Sequence, residues 1–243
     1  MEFALDSVGT RVHASDADKG KEYFCPVCGD PVQPRQGDIK QWHYAHDRGS
    51  ACTDDWTYDM SEWHRSWQAL FPAGNREVVI AHNGEKHRAD VLCYGTVIEF
   101  QHSPISESEF WRRNKFYTAA GLKLVWVFDM TELAGDNIWD EDNRLRLVDE
   151  WHKPWGDGGK YQWKRPRAFL RGFLPQDEKD IVIFIQIATF DGDPKETGIG
   201  YVERVTWVNP DQKTPWGRFH TSYKVSNYAE LLNWLKRRKQ QGD

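Results

Sequence analysis

The chain has 243 residues, 28% of them charged, with a formal net charge of −5. That length suffices for one large or two small domains, and no apolar run approaches the ~18 residues of a spanning helix, so neither a membrane segment nor a signal peptide is expected. The negative balance excludes nucleic-acid binding through global charge; any DNA contact has to come from local basic patches and metal ions.

Residues 1–57 are short runs broken by Gly, Pro and Asp, as in a small metal-stapled module. Cys25-Pro-Val-Cys28-Gly29 reads as a knuckle, two thiolates across a tight turn. The four cysteines fit a structural zinc site in a reducing, cytoplasmic compartment better than a disulfide framework. Two ligand sets are open. One is Cys25, Cys28, His43 and His46; the other is Cys25, Cys28, His46 and Cys52. The second is preferred, because His43 and His46 on a strand point to opposite faces. Four protein ligands leave no open position for catalysis, so the role is structural.

Residues 58–72 read as a helix capped by Ser61 or Asp59 and ended by Pro72, with Met60, Trp63, Trp67, Leu70 and Phe71 on one apolar face. Residues 76–81 read as a strand. Ala89–Tyr94 and Thr96–Phe100 are apolar runs flanking Gly95 and read as a hairpin. Residues 105–120 predict a helix with Ser106 and Glu109 as a capping box. Residues 122–128 predict a buried strand. The order helix, three strands, helix, strand is an α/β layout on a mixed sheet. Residues 133–160 read as a long polar excursion. Further strands are expected over 161–164, 168–174, 181–190, 200–208 and 218–225, then a helix over 228–239 ending in Lys236-Arg-Arg-Lys239. The resulting division is 1–57, 58–132 and an α+β region 133–243 of unassigned role.

The hairpin carries the chemistry. An acid sits inside each strand, Asp90 and Glu99, where an unpaired carboxylate is costly. A shared divalent cation resolves that cost, and hard oxygen ligands suit Mg²⁺ or Mn²⁺. Alternation places Gln101 and Ser103 with Glu99 and turns Phe100 to the core. The expectation is a polar row, Asp90, Glu99, Gln101 and Ser103, on one edge of a sheet. Glu62 on the preceding helix offers a third acid. His64, His102, Arg113 and Tyr117 are candidate contacts to phosphate or water.

The pattern Asp90, eight residues, Glu99-Phe100-Gln101 resembles the PD-(D/E)xK nuclease core in the variant with Gln where Lys usually stands. The strings Glu99–Ser106, Arg113–Tyr117, Leu124–Phe128 and Ser61–His64, together with the cysteines, resemble the competence protein CoiA-like nuclease family over roughly residues 20–170. The resemblance implies a restriction-endonuclease-like mixed sheet flanked by helices, behind an N-terminal zinc-ribbon-like module. It also implies metal-dependent hydrolysis of DNA in competence, recombination or defence against foreign DNA. Asp90, Glu99, Gln101 and Glu62 would be catalytic, with substrate at Ser103, Arg113, Tyr117, His64 and His102. DNA is the expected partner, and the C-terminal region is the segment open to protein partners. The alternative is a DNA-binding scaffold on a nuclease fold, favoured by the missing Lys and the negative charge.

Overall fold

The structure is a computed structural model and describes residues 1–38, 41–47, 49–52, 61–153, 156–164, 180–187, 202–209, 216–225 and 228–240. The strand expected over 168–174, and Asp59 and Met60, lie outside these residues. No described helix is long and apolar enough to cross a membrane.

Five short antiparallel strands form the N-terminal sheet: β1 Phe3–Asp6, β2 Arg11–His13, β3 Tyr23–Phe24, β4 Pro31–Arg35 and β5 His43–His46, in the order β2-β1-β3-β4-β5. Its core is small, built on Ala4, Ala14, Tyr23, Val32 and Tyr44. So little apolar area seldom stabilises a module unaided, which is the physical reason for a staple.

The second sheet has nine strands. Helix α1 Glu62–Ala69 precedes β6 Arg76–His82, β7 Glu85–Cys93 and β8 Thr96–Gln101; α2 Glu107–Ala119 then leads to β9 Lys123–Asp129. Ser61 caps α1 by accepting from the His64 N–H, and Ser106 caps α2 by accepting from the Glu109 N–H, as their spacing predicts. Two two-residue hairpins join β6 to β8. Asn83–Gly84 (φ 48° and 84°) and Tyr94–Gly95 (φ 51° and 71°) are left-handed at both positions, the conformation a tight hairpin with native twist requires.

The stretch read as a polar excursion contains α3 Thr131–Ala134 and β10 Leu145–Lys153, and leads into β11 Gly156–Lys164. Strands β12 Ile181–Gln186, β13 Val202–Asn209 and β14 Trp216–Val225, and α4 Tyr228–Gln240, complete the described elements. The strand order is β10-β11-β14-β13-β12-β9-β8-β7-β6, with β8, β9 and β12 parallel and the other pairs antiparallel. One face packs Phe110, Tyr117, Trp126 and Phe128 beneath α2. The other packs Val91, Ile98, Phe100, Val127 and Phe184 against Trp67, Leu70 and Phe71 of the α1 segment and Leu231 and Leu235 of α4. The chain is thus a mixed α/β protein.

Strand β8 lies inside this sheet, between β7 and β9, and not at an edge as the sequence suggested. All six of its residues are buried, because Val97 fills one face and Ile98 and Phe100 the other. Helix α1 is tied to the far side of the sheet by one side chain. The indole N–H groups of Trp63 and Trp67 both donate to Gln186 Oε1 of β12, each at 2.8 Å. Gln186→Leu removes that shared acceptor and leaves the buried Trp67 N–H unpaired. The expected loss is about 1–3 kcal/mol, read as a lowered midpoint in urea unfolding with an unchanged slope.

Candidate active site and metal centre

The sheet opens around Asp90. Strands β6 and β7 pair Arg76 with Val91 and Val78 with Ala89, while β7 and β8 pair Val91 with Ile98. Continuing both registers sets Asp90 between Glu77 and Glu99, yet neither is a ladder pair. Glu77 has φ 46°, a left-handed conformation that a non-glycine residue rarely adopts. Its buried side chain turns to the N-terminal module, where Oε2 accepts the N–H groups of Glu2 at 2.8 Å and Phe3 at 3.1 Å. On the other side, β7 and β8 diverge, and Asp90 Oδ2 enters the gap to accept the Phe100 N–H at 2.9 Å.

Two residues of α1, one turn apart, complete the surroundings of Asp90. His64 Nε2 lies 3.2 Å from Oδ1. Gln68 Nε2 donates to the Asp90 carbonyl at 3.2 Å and lies 3.5 Å from Oδ1. Glu99 projects to the opposite layer. Its Oε2 accepts from Arg113 Nη1 at 2.7 Å and its Oε1 from the Tyr117 hydroxyl at 2.8 Å. Arg113 also spans to Glu109 one turn back on α2. The two acids and Gln101 are almost sealed from solvent: Glu99 is 0% exposed, Asp90 3% and Gln101 4%.

Burial and neighbouring charge separate the two carboxyls. Burial pushes Asp90 up, but the His64 imidazole, the Phe100 N–H and the Arg113 charge outweigh it and hold the group below its ordinary value. Burial pushes Glu99 up as well. The Asp90 charge adds to it, and Arg113 and Tyr117 offset only part, leaving Glu99 at about 7. Neighbouring carboxyls driven apart in this way mark sites of proton or cation binding.

The other predicted positions divide into two groups. Gln101 Nε2 donates to the Ser103 carbonyl at 2.6 Å, so these two form one corner at the end of β8. His102 leaves that corner and meets Asp129. Glu62 is exposed on the first turn of α1, and the side chains of that helix that reach Asp90 are His64 and Gln68. Gln68 and Asp129 were not singled out in the sequence. Gln68 was findable, since i+4 from His64 is the same helix face; Asp129 carried no local signal.

A hard divalent cation fits this donor set in kind. Two carboxylates stand at opposed positions, and the buried Gln68 Oε1 beside Asp90 has no hydrogen-bond partner among the described residues. An amide oxygen in that situation suits a hard cation or a water held by one.

The second centre lies in the N-terminal module. The ligand atoms of Cys25, Cys28, His46 and Cys52 all fall within 4.8 Å of one another. The knuckle has the expected backbone donors: the Val27 N–H reaches Cys25 Sγ and the Asp30 N–H reaches Cys28 Sγ, both at 3.4 Å. Cys28 Sγ and His46 Nε2 are 3.3 Å apart. His43 is turned away, with Nδ1 2.8 Å from the Gln41 carbonyl oxygen. Burial, with Cys25 and Cys52 adding to it, pushes the Cys28 thiol up to about 12 against the Asp30 N–H. The Cys28 thiol has to lose its proton when a metal binds. The cluster could therefore bind a metal such as zinc.

Residues 8–55 match the family described as Competence protein CoiA, N-terminal domain, and residues 77–142 match Competence protein CoiA, nuclease-like domain. These two matches support assignment of the chain to the CoiA-like family. The first match contains Cys25, Cys28, His46 and Cys52, and the second contains Asp90, Glu99, Gln101 and the α2 partners Arg113 and Tyr117. No curated protein and no solved structure matches the chain.

Two outcomes are expected. Protein purified without added metal should carry about one equivalent of zinc by elemental analysis. Cys52→Ser should lose it and His43→Ala should keep it; the reverse pattern would return His43 to the ligand set. The second outcome concerns Glu99, whose carboxyl is raised from an ordinary 4.5 to about 7. Across that window the folded chain binds the proton more tightly than the unfolded chain, so this group lowers stability as pH rises. Asp90, shifted the other way from 3.8, acts below the window. Glu99→Gln should therefore gain stability relative to the native chain as pH rises toward about 7, measured by urea unfolding. A gap independent of pH would mean that Glu99 is already ionised throughout.

Proposed function

We propose that this CoiA-like chain is a divalent-metal-dependent nuclease that hydrolyses DNA phosphodiester bonds at Asp90, Glu99 and Gln101. The observation that supports it is the opposed, buried pair of carboxyls at the point where β7 and β8 part, one held below and one above its ordinary value. Asp90 and Glu99 would hold Mg²⁺ or Mn²⁺, which when bound polarises the phosphoryl oxygens and lowers the pKa of water. Gln101 orients the attacking water through its amide, without charge. Ser103 fixes that amide by accepting its N–H. His64 and Gln68 hold Asp90 in place, and Arg113 and Tyr117 do the same for Glu99. In the Cys3His module the metal would be zinc, with a structural role.

One observation favours a second reading, that of a DNA-binding scaffold without turnover. Arg113 and Tyr117 already engage both oxygens of Glu99, and the acids are closed to solvent. A guanidinium can neutralise a buried carboxylate without any metal. Incubation of labelled DNA and RNA with Mn²⁺, Mg²⁺ or EDTA separates the two readings.

In that assay Asp90→Asn should lose at least about a hundredfold in rate, the scale of one lost electrostatic element. Gln101→Ala should lose about 10- to 1000-fold, and Gln101→Lys should retain or raise the rate by restoring a cation beside the phosphate. Metal-dependent cleavage by Asp90→Asn at the native rate would place the chemistry elsewhere.

A further inference from the structure

The carboxyl ends of the parallel strands β8 and β9 come out side by side, with Gln101 in register with Phe128. The next residue on each, His102 and Asp129, meet there: His102 Nδ1 lies 2.7 Å from Asp129 Oδ2. Asp129 is itself clamped. Its Oδ1 accepts the Thr131 N–H at 3.0 Å and the Thr131 hydroxyl at 2.7 Å. The carboxylate side chain is 6% exposed, whereas that of His102 is 44% exposed. A carboxylate held in this way accepts the Nδ1–H, which assigns the lone pair of the neutral ring to Nε2.

The same two residues line a cavity of about 430 Å³, with Ser103, Glu132, Arg144 and Trp163 also in its wall. The His102 ring also lies 6.1 Å from that of Trp63 on α1, the residue before the His64 that meets Asp90. A buried acid, an oriented imidazole and a solvent-reaching face therefore stand beside Gln101, whose amide cannot take a proton.

We propose that His102 is the proton acceptor of the hydrolysis and Asp129 its positioning residue, an assignment that rests on the nuclease reading above. In the step, the water oxygen bonds to phosphorus and the bond from phosphorus to the leaving oxygen breaks. The proton of the water passes to His102 Nε2, and the leaving oxygen takes a proton from solvent. Asp129 fixes the tautomer and stabilises the imidazolium that forms, without being protonated itself. Arg144 and Glu132 are the other charged groups on the cavity wall, and Arg144 suits the oxygens of the strand being cut.

The test compares the native chain with His102→Ala, His102→Gln and Asp129→Asn, using a labelled oligonucleotide and Mn²⁺. His102→Ala should lose about 10²–10⁴-fold in kcat with little change in KM, the usual contribution of a positioned base. Free imidazole should restore part of that loss. His102→Gln retains an amide donor for Asp129 but cannot accept a proton, so it should lose as much as the alanine variant. Asp129→Asn should lose less, gain nothing from imidazole, and abolish the Nδ1–H tautomer that two-bond ¹H–¹⁵N spectra should record in the native chain. Native-rate cleavage by either His102 variant, or a loss in His102→Ala that imidazole leaves untouched, overturns the proposal. Absence of cleavage by the native chain overturns the nuclease reading instead, and the base assignment with it.

Discussion

Asp90 and Glu99 stand opposite each other in a sheet that all but excludes water, and the surrounding structure answers the cost of that placement. Burial raises both groups, and at Glu99 the Asp90 charge adds to it. The protein answers them asymmetrically. Asp90 receives an imidazole from α1 and a backbone N–H from β8, and falls below its ordinary pKa. Glu99 receives a guanidinium and a phenol from α2, and still rises to about 7. The two carboxyls are held by different helices, Asp90 by His64 of α1 and Glu99 by Arg113 and Tyr117 of α2.

This requirement reaches distant parts of the chain. Asp90 can leave the ladder because Glu77, opposite it on β6, is held in a left-handed turn by the N–H groups of Glu2 and Phe3. Arg11 reinforces the same junction by donating to the carbonyls of Ala73 and Arg76. The N-terminal module therefore buttresses the back of the acid pair, and a metal in its Cys3His cluster would stabilise that buttress. On the other side, Gln186 of β12 fixes the two tryptophans of α1. Because His64 and Gln68 ride on that helix, a strand far along the sequence determines where the contacts to Asp90 sit.

What could be read from the sequence follows the range of the interactions. The caps at Ser61 and Ser106 and the hairpin turn at Gly95 are set by residues a few positions apart, and their spacing was enough to place them. The Cys3His set needed one further argument, the opposite facing of His43 and His46 on a strand. Position within the sheet was not legible. A strand with an acid on one face reads as an edge, but β8 pairs with both β7 and β9, and an arginine from α2 covers its acid. The polar stretch after α3 concealed β10 because its apolar residues, Leu145 and Leu147, are separated by charged ones. Gln186 meets the α1 tryptophans, and Asp129 meets His102, across more than twenty positions, and no local pattern announces those pairings.

On the proposed nuclease reading, the same range argument bears on how a chain of net charge −5 would handle a polyanion. Global charge opposes the approach of DNA, and screening confines that opposition to about 8–10 Å at ordinary ionic strength. Inside the site the field is local and stronger. Arg113 bridges Glu99 and Glu109 and reduces the negative charge between the layers without opening the site to solvent. Arg144 and His102 line the neighbouring cavity, where Asp129 is already engaged by His102 and Thr131. Arg144 thus offers a local positive charge on that wall, set by the fold and independent of the overall charge balance.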